Sequence, residues 1–233
     1  MKTEKLQIQG IPAVLYGEPS EKVWLYVHGK QSAKEAAQRF AGTACGKGWQ
    51  VLSADLPEHG ERAGGPTPLL PWKAVPELRE IFAWASPRWG RKALRCTSLG
   101  AWFSLLAFAG EPLERALFVS PVLDMELLIL DMMKWAGVSE ALLRELGEIP
   151  TDFGETLSWK YLEYARAHKT LDWEIPTSIL YAGGDRLISR YSVEYFSRCF
   201  GADLTVLEDG EHWFHTPEQV AFLRRWEDAN VRA

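Results

Sequence analysis

Six short apolar runs recur along the chain: Val23–Val27 (VWLYV), Gln50–Ala54 (QVLSA), Lys92–Thr97 (KALRCT), Arg115–Val119 (RALFV), Thr177–Ala182 (TSILYA) and Leu204–Leu207 (LTVL). Each contains β-branched or aromatic residues and most are rich in them, a composition that predicts buried strands. Longer segments with helical spacing lie between them: Ala33 to Lys47, Trp72 to Trp84, Leu99 to Ala109 and Pro217 to Trp226. Ser32, with Glu35 three residues on, predicts the cap of the first. Pro76 predicts that the regular part of the second begins near that residue. Thr216 caps the last. Leu6–Ile8 and Ala13–Tyr16 fit an antiparallel hairpin at one edge. This alternation predicts an α/β fold, a mostly parallel central sheet with helices on both faces.

The alternation lapses between Val122 and Pro176. Helical periodicity there covers Met125–Trp135, Glu140–Leu146 and Leu157–Ala167, without the Gly/Ser or Pro richness of a linker. A chain of 233 residues suits one domain with a small insertion. We therefore expect residues 1–122 and 176–233 to form the α/β core and residues 123–175 a helical insertion.

Candidate chemistry gathers at the ends of the strands. In Cys96-Thr97-Ser98-Leu99-Gly100-Ala101 a serine occupies a strand–turn–helix junction. A nucleophile on such a turn stands exposed above the sheet, and small neighbours let strand and helix approach. A serine hydroxyl is a poor nucleophile without a base. His212, in Asp209-Gly210-Glu211-His212-Trp213-Phe214, follows the last expected strand and can supply one. The imidazole needs a carboxylate to fix its tautomer. Asp185 follows Tyr181-Ala182-Gly183-Gly184, just beyond a strand, and Asp124, after Ser120-Pro121, is its rival. His215 is the rival base. Backbone amides should complete an oxyanion hole: Leu99 N–H, and Lys30 N–H after the strand ending at His28-Gly29, with Gln31 next in line.

Composition narrows the alternatives. The net charge of -5 comes without a block of like charge, which argues against nucleic-acid binding through a basic patch. The three cysteines, Cys45, Cys96 and Cys199, form no C-x-x-C pair, which fits a reducing compartment. No H-E-x-x-H and no G-x-G-x-x-G occurs, so neither a metal nor a dinucleotide is implied, and no cofactor is expected. Met1 to Gly10 is polar and no apolar run could span a bilayer, so neither a signal peptide nor a membrane span is expected and the cytoplasm is the default location.

His28-Gly29, the loop Asp55-Leu56-Pro57-Glu58-His59-Gly60 (similar to D-x-P-G-H-G), the Ser98 turn, Gly183-Gly184-Asp185 and Gly210-Glu211-His212-Trp213 together resemble the α/β-hydrolase superfamily, especially small esterase-like members with a compact helical cap. Two residues depart from its pattern: Cys96 stands where the G-x-S-x-G turn has glycine, and Glu58 stands in the glycine position of D-x-P-G-H-G. His28 and His59 belong to loops that shape the site. The resemblance implies that residues 123–175 form a lid over the pocket, with Trp102, Trp135, Trp159 and Trp213, and with Met132 and Met133, as candidate walls for an apolar acyl group. It further implies a carboxylesterase-like serine hydrolase acting on a small-molecule ester. A thioesterase, an amide or small-peptide hydrolase, and a non-catalytic ligand receptor are the alternatives.

Overall fold

The computed structural model describes residues 1–169 and 172–233. The chain opens with an antiparallel hairpin, β1 (Thr3–Ile8) and β2 (Ile11–Tyr16). Its two turn residues, Gln9 and Gly10, both have positive φ, which matches the twist of the flanking strands. Next come β3 (Lys22–Val27), α1 (Ala37–Gly46), β4 (Gln50–Ala54), α2 (Pro71–Ala85), β5 (Arg91–Thr97), α3 (Leu99–Phe108) and β6 (Ala116–Val119). The insertion holds α4 (Met125–Ala136), α5 (Glu140–Leu146), β7 (Glu148–Pro150), β8 (Thr156–Ser158) and α6 (Trp159–Ala167). The chain then completes the sheet with β9 (Thr177–Ala182), α7 (Arg190–Phe200), β10 (Asp203–Leu207) and α8 (Pro217–Asn230). Residues 170 and 171, inside the expected insertion, lie outside the described residues.

The main sheet runs β1-β2-β4-β3-β5-β6-β9-β10, and every pairing from β4–β3 onward is parallel. After β3 the chain moves outward to β4; after β5 it moves the other way, to β6. The loops leaving β3 and β5 therefore diverge and open a crevice at their carboxyl ends, the place where open α/β sheets hold ligands. Residues along β3 alternate between two buried faces. Val23, Leu25 and Val27 join a core with Leu78 and Phe82 of α2 and Phe103 of α3, whereas Trp24 and Tyr26 join one with Phe40 of α1 and Trp226 of α8. Burial on both faces explains why the strands read as apolar runs without alternation.

Local expectations at two helix starts are corrected. Ser32 does not cap the first helix: Lys34–Ala36 form a 3-10 turn, α1 begins at Ala37, and Asp55 Oδ1 accepts the Lys34 N–H at 2.9 Å. A carboxylate from the loop after β4 thus satisfies the amide that a local serine was expected to satisfy. The second helix begins at Pro71 rather than near Pro76. Pro71 occupies the favoured first turn, and exposed Pro76 forfeits one helical bond while Ala74, Val75, Leu78, Ile81 and Phe82 hold the helix to the core. Two features lay outside the sequence reading: the short β7–β8 hairpin and α7. On α7, exposed Tyr191 and Tyr195 blur the apolar spacing of Val193, Phe196 and Phe200.

Arg166 on α6 ties the insertion together, donating from Nε to Glu126 of α4 at 2.9 Å and through both terminal nitrogens to Glu140 of α5. The insertion meets the core through aromatic rings: Tyr161 stacks on Trp102 of α3 at 5.9 Å, and Tyr164 lies 5.5 Å from Trp72 of α2. Its hairpin also reaches the turn after β3, where the Lys30 ammonium pairs with Glu155.

One fully buried ion pair braces the opposite face. Arg95 of β5 donates from Nε (3.1 Å) and Nη2 (2.8 Å) to Oε1 of Glu227 on α8, and from Nη1 to the Cys96 carbonyl and the Thr97 hydroxyl. Removing one partner of such a pair leaves an uncompensated buried charge. Glu227→Ala is expected to cost about 3–5 kcal/mol, read from the urea midpoint. Replacing both partners, Arg95→Met with Glu227→Leu, should recover most of that loss.

Candidate active site

β5 delivers Ser98 to the sheet's carboxyl edge, where it adopts φ 50° and ψ −123°, left-handed backbone at a non-glycine residue. Neighbouring peptide groups hold that conformation in place. The Ser98 N–H donates to the Val119 carbonyl at 3.1 Å, and the Ser98 carbonyl accepts from the Val122 N–H at 3.1 Å and the Ala101 N–H at 3.0 Å. Gly100 is obligatory, because a Cβ there would lie 2.5 Å from the His28 carbonyl oxygen and 2.7 Å from that of Val27. Cys96, where glycine was expected, is buried, and its thiol meets Ser104 of α3 at 3.1 Å. A small serine on the helix makes room for the side chain that the strand carries. Burial pushes the Cys96 thiol up to about 12, so it acts as a small apolar group.

The structure brings the three expected side chains together. His212 Nε2 lies 3.0 Å from Ser98 Oγ, and Nδ1 lies 2.6 Å from Asp185 Oδ2. The Asp185 side chain is fully buried, and its other oxygen accepts the N–H groups of Leu187 (2.8 Å) and Ile188 (3.0 Å). An ionised Asp185 can only accept, so Nδ1 carries the imidazole proton and Nε2 is left to accept from the serine hydroxyl. Glycines bring the two loops close enough for this contact. Gly183 and Gly184 donate to the carbonyls of Leu207 (2.8 Å) and Gly210 (2.9 Å), and a Cβ on either would run into the backbone of Glu208 or Gly210.

The rival residues are engaged elsewhere. Asp124 caps α4, accepting the Leu127 N–H at 2.9 Å. His215 is exposed, with Nδ1 against the Trp213 carbonyl at 3.0 Å and Glu211 at 3.1 Å. Of the expected oxyanion donors, the Leu99 and Lys30 N–H groups have no acceptor among the described residues, whereas the Gln31 N–H is committed to Nε2 of His59 at 2.9 Å. Gly29 abuts Ser98, since a Cβ on it would lie 3.2 Å from that of the serine. Gln31, Glu58, Ser98 and Ser120 all have positive φ, so each of the four loops after β3, β4, β5 and β6 carries one left-handed non-glycine residue.

The four tryptophans expected as pocket walls sit in different environments. Trp102 is 2% exposed, packed beneath Tyr161, and belongs to the core rather than to an open wall. Trp159 lies under the Arg144 guanidinium, and Trp135, 51% exposed, meets Phe153 edge-on. Trp213 is 69% exposed, beside His212 in sequence. Helical spacing places residues on a face but does not say which face a neighbouring element covers. Met133 is buried and Met132 half-buried. Among the described residues no group of three or more His, Cys, Asp or Glu side chains is placed to hold a metal ion, and no helix is long and apolar enough to cross a membrane.

This sheet order, with a serine elbow after β5 and the acid and histidine after β9 and β10, defines the α/β-hydrolase fold. Solved structures agree along nearly the whole chain. A hydrolase described as putative, from Agrobacterium vitis S4, superposes with a TM-score of 0.78 at 18% identity, covering 99% of each chain. Mouse alpha/beta hydrolase domain-containing protein 10 gives 0.77 at 13% identity, over 99% of this chain and 98% of that one. Est1E from Butyrivibrio proteoclasticus, with ferulic acid bound, gives 0.76 at 17% identity, over 97% and 96%. No protein-family model and no curated protein matches the sequence. At these identities the likeness establishes the fold.

The surroundings of the three thiols should be visible to a thiol reagent. In the native protein Ellman's reagent is expected to modify exposed Cys199 promptly and half-buried Cys45 slowly, leaving Cys96 untouched until the chain unfolds. Prompt native modification of Cys96 would contradict the packing described.

Proposed function

We propose that the protein is a serine hydrolase that cleaves a carboxylic-ester bond in a small, apolar acyl substrate. The observation that carries this reading is the unbroken chain of contacts from Ser98 Oγ through both His212 nitrogens to buried Asp185, at 3.0 and 2.6 Å. The likeness to Est1E, whose structure holds ferulic acid, supports a carboxylic acid as the released product.

In the first half-reaction Ser98 Oγ attacks the ester carbonyl carbon while its proton passes to His212 Nε2. The negative charge that develops on the carbonyl oxygen is held by the Leu99 and Lys30 N–H groups. Collapse expels the alcohol, which takes the proton from His212, and leaves an acyl group on Ser98. Water then attacks the acyl carbon, His212 accepts its proton, and a second collapse frees the carboxylic acid and restores the serine hydroxyl. Asp185 orients the imidazole and stabilises it when charged. The insertion, residues 123–175, serves as the lid over this site, joined to the oxyanion turn by Lys30 and Glu155.

Turnover of short-chain p-nitrophenyl esters tests the roles. Ser98→Ala should lower kcat at least about 10³-fold and abolish labelling by a fluorophosphonate. Asp185→Asn should cost on the order of 10⁴-fold by imposing the wrong tautomer. Asp124→Ala should leave kcat within about twofold while costing about 1 kcal/mol of stability through its lost cap. Undiminished turnover by Ser98→Ala would overturn the assignment. A wild-type protein that the fluorophosphonate leaves unlabelled would point to a non-catalytic receptor.

A further inference from the structure

The Lys30 N–H belongs to a peptide unit whose carbonyl is that of Gly29. A trans peptide is planar, with its N–H and C=O pointing in opposite directions, so the group that holds the carbonyl also aims the N–H. The carbonyl of Gly29 lies 2.8 Å from Nδ1 of His28. The peptide unit on the other side of Lys30 is held by its N–H, which Gln31 donates to His59 Nε2 at 2.9 Å. The two soft torsions of Lys30 therefore lie between two pinned planes. Gln31, at φ 58°, turns the chain immediately afterwards.

The two rings are held in their turn. Leu56 N–H donates to His28 Nε2 at 3.1 Å, and His59 Nδ1 faces the Pro57 carbonyl at 2.7 Å. A carbonyl can only accept and an amide N–H can only donate. In both rings Nδ1 must therefore carry the proton and Nε2 must be bare, which is the neutral imidazole with both nitrogens used. The rings pack 5.3 Å apart, with His28 fully buried and His59 only 8% exposed. Burial lowers the His28 pKa to about 4, which keeps that ring neutral through the ordinary pH range. The loop that carries His59 is anchored through buried Asp55, which accepts from the Lys34 N–H (2.9 Å), the Lys34 ammonium (2.7 Å) and the Glu61 N–H (3.0 Å). Neither histidine has a hydrogen bond to Ser98, His212 or Asp185.

We propose that His28 and His59 are positioning residues: they clamp the peptide planes on either side of Lys30 and so aim its N–H at the oxygen that becomes negatively charged. This rests on the ester-hydrolase reading and extends it to two side chains that do not touch the reacting atoms. A donor fixed before the reaction requires no reorganisation as charge develops, which is why such donors act chiefly on kcat.

Paired substitutions separate aiming from bulk. His59→Gln keeps an acceptor where Nε2 lies, whereas His59→Asn keeps only the donor near Nδ1. With p-nitrophenyl butyrate, His59→Asn is expected to lose about 10- to 100-fold in kcat with KM within about threefold, because one oxyanion donor is misdirected. His59→Gln should stay within about threefold of wild type on the same grounds. Likewise His28→Asn, which keeps the donor to Gly29, should outperform His28→Leu. Affinity for a trifluoromethyl ketone, which forms a tetrahedral adduct, should fall in step with kcat across the series. If His28→Leu does not fold, the His59 pair decides. The clamp is refuted if His59→Asn matches wild type in kcat, or if Gln and Asn lose activity equally. A wild-type protein that neither hydrolyses the ester nor takes a fluorophosphonate at Ser98 removes the hydrolase reading and the clamp together, an outcome distinct from an active wild type with an unaffected His59→Asn.

Discussion

At Gly100 there is no room for a methyl group, and the arrangement of the crevice follows from that fact. The first turn of α3 crosses the end of β3 so closely that the carbonyls of Val27 and His28 occupy the place of a side chain. The crossing seats the serine turn beside the turn after β3, so Ser98 and the amides after β3 share one contact surface. Ser98 must then adopt a left-handed backbone, and hydrogen bonds to Val119 at the end of β6, to Val122 beyond it and to Ala101 of α3 hold it there. Glycine acts in the same way between β9 and β10, where Gly183 and Gly184 bring the carboxylate loop against the histidine loop. Two close approaches, each possible only without a Cβ, set the spacing of three side chains from three different loops.

Much of this was legible in the sequence because the central strands are buried on both faces and so carry uninterrupted apolar runs. The serine, the acid and the histidine were legible because each lies just past such a run, beside glycine. The Gly-Gly-Asp turn favours Asp185, with Asp124 as a rival because both follow strands; in the structure Asp185 faces His212, whereas Asp124 accepts the Leu127 N–H as the cap of α4. The cap of the first helix escaped because its acceptor, Asp55, is 21 residues from Lys34 along the chain and close only in space. The differing exposure of Trp102, Trp135 and Trp213 was equally hidden, because spacing along the chain is blind to what a neighbouring element covers. The match to D-x-P-G-H-G was visible in sequence, but not that its histidine would hold a backbone amide from another loop.

Two buried ion pairs carry much of the polar burden around the sheet. Behind the carboxyl edge of the sheet, Arg95 and Glu227 join the strand that leads into Ser98 to the helix that follows His212. At the edge itself, Lys34 and Asp55 join the loops after β3 and β4. Buried pairs of this kind contribute little net stability compared with apolar packing, but they tolerate few alternative arrangements. Here one pair links a strand to a helix and the other links two loops.

Glu58 shows what the edge gives up. It holds a left-handed backbone, φ 60°, at the position where the resembling loop pattern has glycine, and its carboxylate accepts the Leu69 N–H at 2.6 Å. Glycine would relax the backbone by about 1–2 kcal/mol, yet it would leave the Leu69 N–H without this acceptor. The chain has exchanged local comfort for a tethered loop. With Gln31, Ser98 and Ser120 under similar strain, this rim resembles a drawn spring: its shape is set by what restrains it more than by what its residues would choose alone.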